Sequence, residues 1–312
     1  MSVFAFVFPG QGSQSVGMLD AWGDHPVVRD TLAEASQALG SDLAGLIRQG
    51  PKEALDLTAN TQPVMLAASV ACYRAWLAET GREPAFVAGH SLGEYSALVA
   101  AGVLSLADAV PLVRFRAQAM QDAVPVGTGA MAAILGLEAD SVRAVCAEAA
   151  AITHEAVEAA NYNDPKQTVI SGSKGAVNKA CELAKAAGAK RALPLSVSAP
   201  FHSSLMKPAA ERLRERLADT PLATPAIPVL NNIDVAVETD AAAIRDALYR
   251  QAFGPVRWVE LVLALELRGA THVVECGPGR VLSGLVKRID AELLVANIGD
   301  PASLAHAREM LA

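Results

Sequence analysis

The sequence predicts an α/β fold, a large parallel-sheet domain interrupted by a small ferredoxin-like one. Three observations carry this reading. Apolar runs that stop at glycine-rich turns and lead into helical patterns recur along the 312 residues, the order of a parallel sheet with helical crossovers. The stretch from about residue 130 to 197 instead reads βαββαβ, the order of a ferredoxin-like unit. The composition, 52 % apolar but only 4 % aromatic, suits packed helices on a sheet better than an all-β sandwich.

In chain order, residues 3–8 form a continuous apolar run that stops at Pro9-Gly10-Gln11-Gly12-Ser13, a buried strand feeding a turn. Residues 85–88 end at Gly89 and precede a helical stretch from about Glu94. Residues 272–276 end at Gly277-Pro278-Gly279 and lead into a third helical pattern. Between them, Gly127-Thr128-Gly129 reads as a hinge. It opens a strand (130–137), helix (139–150), strand (156–162), turn at Asn163-Asp164-Pro165, strand (167–172), helix (174–187) and strand (190–197). The expected boundaries are 1–126 with 198–312 for the large domain and 127–197 for the small one.

Several function classes are disfavoured. The net charge of −7 argues against a nucleic-acid partner. The apolar run Tyr95 to Ala107 is shorter than the roughly 20 residues a membrane-spanning helix needs. Met1-Ser2-Val3-Phe4 lacks a basic segment and cleavage site, so no secretion signal is expected. Cys72, Cys146, Cys181 and Cys276 form no C-x-x-C pair and read as reduced cytoplasmic thiols. His154-Glu155 begins a zinc motif, but Glu158 stands where its second histidine belongs, so no metal is expected.

The chemistry centres on Gly89-His90-Ser91-Leu92-Gly93, a G-x-S-x-G pattern between strand and helix. A sharp turn there lifts the Ser91 hydroxyl out of the sheet, and the following helix N-terminus offers free N–H groups to an oxyanion. The Leu92 N–H is the expected first donor. A Gln11 N–H, on a loop at the same carboxyl edge, either completes the hole or belongs to a plain turn. A hydroxyl nucleophile needs a base, and His202 is the best placed of six histidines, on a loop re-entering the large domain. His90 should point away from the Ser91 hydroxyl. Arg116 falls on the apolar stripe Ala109, Leu112, Val113, Met120 of a helix over about 108–120. A guanidinium there needs a protein carboxylate, a substrate carboxylate, or a path to water. Arg114 lies off the stripe and is expected to be solvated. Pro111 is tolerable if the helix starts near Asp108.

Pro9-Gly10-Gln11-Gly12-Ser13-Gln14, Gly89-His90-Ser91-Leu92-Gly93-Glu94, Arg116, Phe201-His202-Ser203 and Gln251-x-x-x-Pro255-Val256-x-Trp258 follow one another across the chain. In combination they resemble the malonyl-CoA:acyl-carrier-protein transacylase family of bacterial fatty-acid synthesis, the discrete enzyme rather than a polyketide-synthase domain. The resemblance implies a hydrolase-like large domain, Ser91 as acylated nucleophile and His202 as base and later acid. It implies Gln11 and Leu92 as oxyanion donors and Arg116 as holder of the malonyl carboxylate. It also implies that a backbone carbonyl at Gln251 orients the histidine and that Asn161 lines the pocket. Malonyl-CoA and an acyl carrier protein are the implied partners of a cytoplasmic monomer. No cofactor is implied, since coenzyme A thioester and carrier phosphopantetheine are substrates.

An acidic carrier would need a local basic patch on this acidic chain. Lys166, Lys174, Lys179, Lys185, Lys190 and Arg191 are the candidates, a solvated helix face being the plainer reading. A serine hydrolase would share Ser91 and His202 but needs neither Arg116 nor the Gln11 loop. A binding module on an inactive scaffold would need neither Ser91 nor His202.

Overall fold

A computed structural model describes residues 2–312. Among the described residues nine strands form two sheets: β1 (Phe4–Phe8), β2 (Phe86–Gly89), β3 (Gly129–Leu135), β4 (Val157–Asp164), β5 (Gln167–Ser173), β6 (Arg191–Pro194), β7 (Val229–Leu230), β8 (His272–Cys276) and β9 (Leu294–Ile298). The first sheet is parallel, in the order β7-β2-β1-β8-β9. Its strands alternate between two buried faces. Phe4, Phe6 and Phe8 enter one core beneath the helices Pro26–Leu39, Thr58–Thr80 and Leu106–Asp122, while Ala5 and Val7 enter another beneath Trp258–Leu267 and Val281–Ile289. Covering on both faces is what allows continuous apolar strands.

The second sheet is antiparallel, in the order β4-β5-β3-β6, the ferredoxin-like arrangement. The two-residue period sorts its faces. Ala132 and Ile134 pack under the helices Ala139–Thr153 and Lys174–Ala186, while Met131 and Ala133 form a smaller cluster with Val197 and Phe201. The fold class is therefore the one the sequence predicts. The last small-domain strand is shorter than expected, ending at Pro194 instead of 197. The chain from there to His202 leaves the sheet and crosses toward the first one.

β4 is an edge strand, and its open edge is used. Tyr162 N–H donates to Val256 O (3.0 Å) and Val256 N–H to Ala160 O (2.8 Å), and Arg288 pairs with Asp164 (2.8 Å). These contacts fix the small sheet to the large one beside the carboxyl ends of β1 and β2. Among the described residues no helix is long and apolar enough to cross a membrane, and the four cysteines are free.

Candidate active site

β2 delivers its last residue into a turn that only small residues can make. A Cβ on Gly89 would strike the Gly93 backbone, and one on Gly93 would strike Phe8 O. Ser91 follows in the left-handed region at φ 53°, a costly conformation for a residue with a side chain. Asn232, fully buried just beyond β7, holds this backbone from below. It accepts from Ser91 N–H (2.7 Å) through Oδ1 and donates to Gly89 O (2.6 Å) through Nδ2.

His202 is also left-handed, at φ 59°, and is buried. Its Nδ1 lies 3.0 Å from Gln251 O and 3.1 Å from Gly254 O. Carbonyl oxygens only accept, so the proton sits on Nδ1, and Nε2 presents its lone pair to Ser91 Oγ at 2.7 Å. Burial, with the Arg116 cation next, pushes His202 down to about 3, so the imidazole is neutral at neutral pH and ready to accept a proton.

Arg116 is 2 % exposed. It does not reach water past its neighbours. Nη1 donates to Gln62 Oε1 (2.9 Å), and Nη2 donates to Gln251 Oε1 (3.0 Å) and Ser91 Oγ (3.3 Å). Its Cζ lies over the Tyr95 ring, 5.4 Å from the ring centroid. Among the described residues no carboxylate pairs with it. The helix carrying it starts at Leu106, capped by Ser105, whose Oγ accepts from Asp108 N–H (3.0 Å). Pro111 thus lies in the second turn, deeper than expected. The carbonyl it leaves without a partner belongs to exposed Ala107, where water can serve. Arg114 is not simply solvated either; it donates to Ala59 O (2.8 Å) and Asn60 Oδ1 (2.6 Å).

Ser91, His202 and Arg116 line one cavity of about 610 Å³, together with Gln11, Leu92 and Asn161. Gln251 stands behind it, tying His202 through its carbonyl and Arg116 through its side chain. Asn161 sits within β4 at a register shift, not at the strand end. Among the described residues the Gln11 and Leu92 amides have no protein acceptor, which leaves both free for a ligand oxygen. His90 turns away from the nucleophile to Asn163 Oδ1 (2.8 Å). No group of three or more His, Cys, Asp or Glu is placed to hold a metal among the described residues.

Of the candidate carrier-patch residues, Lys166, Lys190 and Arg191 meet at one end of the small sheet, where Gly136 N–H donates to Lys166 O (2.7 Å) and Arg191 pairs with Leu135. Lys179 pairs with Glu182 and Lys166 with Glu138. Lys174 bonds through its N–H to Thr128 at the hinge, whereas Lys190 bonds to Leu135 at the far end of the sheet. Sequence reasoning missed Gln62, Asn232 and the carbonyl of Gly254. Asn232 left little signal: the strand before it, Val229–Leu230, is only two residues long, and Asn231 stands between.

The chain matches the acyl transferase domain family over residues 5–289. It is 54 % identical over 311 residues to the malonyl CoA-acyl carrier protein transacylase of Escherichia coli (strain K12), spanning 99 % of this chain and 100 % of that protein. Among solved structures, the acyl-carrier-protein S-malonyltransferase of Burkholderia pseudomallei 1710b superposes with a TM-score of 0.97 at 65 % identity, covering 99 % of this chain and 100 % of that one. A malonyl-transacylase in complex with a type II PKS acyl-carrier protein superposes with a TM-score of 0.97 at 52 % identity, again over 99 % and 100 %.

Proposed function

This chain belongs to the acyl transferase domain family, and on that footing we propose that it transfers a malonyl group from malonyl-CoA to the phosphopantetheine thiol of an acyl carrier protein through an ester on Ser91. One observation carries the choice of acyl group. Arg116 is buried 3.3 Å from the nucleophile with no carboxylate against it among the described residues, so a carboxylate brought by the substrate is its natural partner.

The mechanism follows from the atoms. Ser91 Oγ attacks the thioester carbonyl and gives its proton to His202 Nε2. The carbonyl oxygen takes the negative charge against the Gln11 and Leu92 amides. The C–S bond breaks, and the departing thiolate takes the proton from His202. In the second half the carrier thiol gives its proton to His202, its sulfur attacks the ester, and Ser91 leaves with that proton. Gln251 O and Gly254 O stabilise the imidazolium that forms in each half, as a carboxylate does in other serine enzymes. Arg116 holds the far carboxylate, so the reacting carbonyl is presented in one position. Asn161 completes the wall.

The remainder of the reading is a cytoplasmic monomer that needs no cofactor beyond its thioester substrates, with residues 127–197 as the ferredoxin-like small domain beside the nucleophile. Intact-mass measurement after exposure to malonyl-CoA, acetyl-CoA and methylmalonyl-CoA tests it. A stable malonyl adduct that maps to Ser91, discharged by a holo carrier protein, is the expected result. Rapid release of free malonate without an adduct would replace transfer by hydrolysis, and no adduct at all would leave an inactive scaffold.

A further inference from the structure

Glu94, three residues after the nucleophile, has no part in the chemistry above, yet it is 2 % exposed and directly behind the site. Its Oε2 accepts from Asn232 N–H (2.9 Å) and from Gln251 Nε2 (3.0 Å). The other end of that same Gln251 amide accepts from Arg116 Nη2 (3.0 Å). One amide therefore joins a buried acid to a buried cation that never touch. On its far side Glu94 faces a cavity of about 10 Å³, walled by Leu98, Val229, Asn231 and half-buried Glu238. That is room for about one water, and Asn231 Nδ2 there is buried without a partner. Glu94 thus has a polar outlet that does not cross the acyl pocket.

We infer that Glu94 is the counter-charge of Arg116 in the empty pocket, and that it takes up a proton when the substrate carboxylate replaces it. Arg116 exchanges one anion for another, and the net charge of the buried cluster stays constant. The proton comes from solvent, adds to Glu94 Oε1 on the cavity side, and returns to solvent when the malonyl group leaves. The charged groups around Glu94 support this. Burial raises its carboxyl to about 7 against the hydrogen bonds from Gln251 and Asn232; among the charges, Arg116 opposes the rise and Asp234 adds to it. Covering Arg116 removes the main opposing charge, so protonation follows at neutral pH. Glu238 adds a second negative neighbour on the cavity side, and His202 is neutral. Glu94 acts here as a positioning and charge-balancing residue that never meets the substrate.

The inference rests on malonyl being the substrate, and the test separates the two. Ser91→Ala protein binds without reacting, and calorimetry in two buffers of different ionisation heat counts the protons exchanged. Near pH 7, malonyl-CoA should bring uptake of about half a proton more than acetyl-CoA does, and its affinity should weaken about fivefold from pH 7 to 8. Gln in place of Glu94 keeps an oxygen for both hydrogen bonds but cannot titrate. In Ser91→Ala/Glu94→Gln protein the extra uptake should vanish and the affinity should be level across that range. Equal uptake with acetyl-CoA, or unchanged uptake in the double variant, would overturn the proposal. If the double variant does not fold, infrared difference spectra of Ser91→Ala protein decide: a protonated-carboxyl band gained with malonyl-CoA and not with acetyl-CoA supports it, and its absence sinks it. Wild-type protein that forms no malonyl ester would instead sink the transfer reading itself.

Discussion

The two walls of the cavity are built on different terms. The wall from the parallel sheet carries Ser91, His202 and Arg116, and there the backbone is strained and heavily braced: both Ser91 and His202 are left-handed, and Asn232, Gln251 and Gly254 hold them. The wall from the small sheet offers Met131, Asn161, Leu195 and Val197; none is ionisable and none of their backbones is left-handed. The difference assigns the work. One wall fixes reacting atoms, for which small displacements are costly. The other gives shape and excludes water, for which neutral side chains suffice.

The comparison breaks most visibly at the nucleophile. Ser91→Ala and His202→Ala should each lower transfer by about 10⁴-fold or more, since members of one covalent relay fail together; mass spectrometry should find no ester in the first. Next comes Arg116→Ala, with malonyl transfer falling roughly 10²-fold or more, about 3 kcal/mol, and acetyl transfer far less affected. Equal losses for the two acyl groups would deny the carboxylate role. Asn232→Ala tests the bracing. It should cut the turnover number by about tenfold while KM for malonyl-CoA holds, and cost about 1–3 kcal/mol of stability, because Ser91 N–H and Gly89 O lose their buried partner. On the opposite wall, Asn161→Ala should raise KM severalfold with little change in turnover. A larger loss of turnover there than at Asn232 would erase the distinction between the walls.

Legibility in the sequence follows the same divide. The elbow was readable because the close approach of Gly89 and Gly93 to neighbouring backbone leaves no room for a side chain, and glycine records that. Arg116 was readable as an anomaly, a cation on an apolar stripe, although the stripe alone did not say which partner it meets. The small domain was readable through its alternation of periods. The helix Thr58–Thr80, which carries Gln62, was not: its burial runs unbroken from Thr61 to Tyr73, so it has no polar face to set a period. β7 has two residues, too few for any pattern, and Asn232 was hidden with it. Lys166 and Lys174 are eight residues apart but flank the two ends of β5, whereas Lys166 and Lys190 are far apart in sequence but share one end of the sheet, an arrangement that spacing alone does not reveal.

The smallest expected effect concerns pH, and it sharpens the contrast because both of its agents lie on the braced wall. A histidine base near the usual 6.5 would lose about thirtyfold of kcat/KM by pH 5. His202 is held at about 3 by burial and by Arg116, so acylation by malonyl-CoA should not fall between pH 7 and 5. Stability obeys the same two groups with opposite signs. Below 6.5 the unfolded chain protonates this histidine while the fold keeps it neutral, so His202 makes stability rise with pH from about 3 to 6.5. Glu94 is raised to about 7, so between 4.5 and 7 the fold keeps a proton that the unfolded chain has lost, and stability declines with pH. From about 4.5 to 6.5 the two slopes, each at most about 1.4 kcal/mol per pH unit, oppose one another. Denaturant midpoints of wild-type protein should therefore carry little net slope from this pair, and Glu94→Gln should uncover the rising slope of His202. A Glu94→Gln profile parallel to wild type would mean that the carboxylate is not held protonated in the fold.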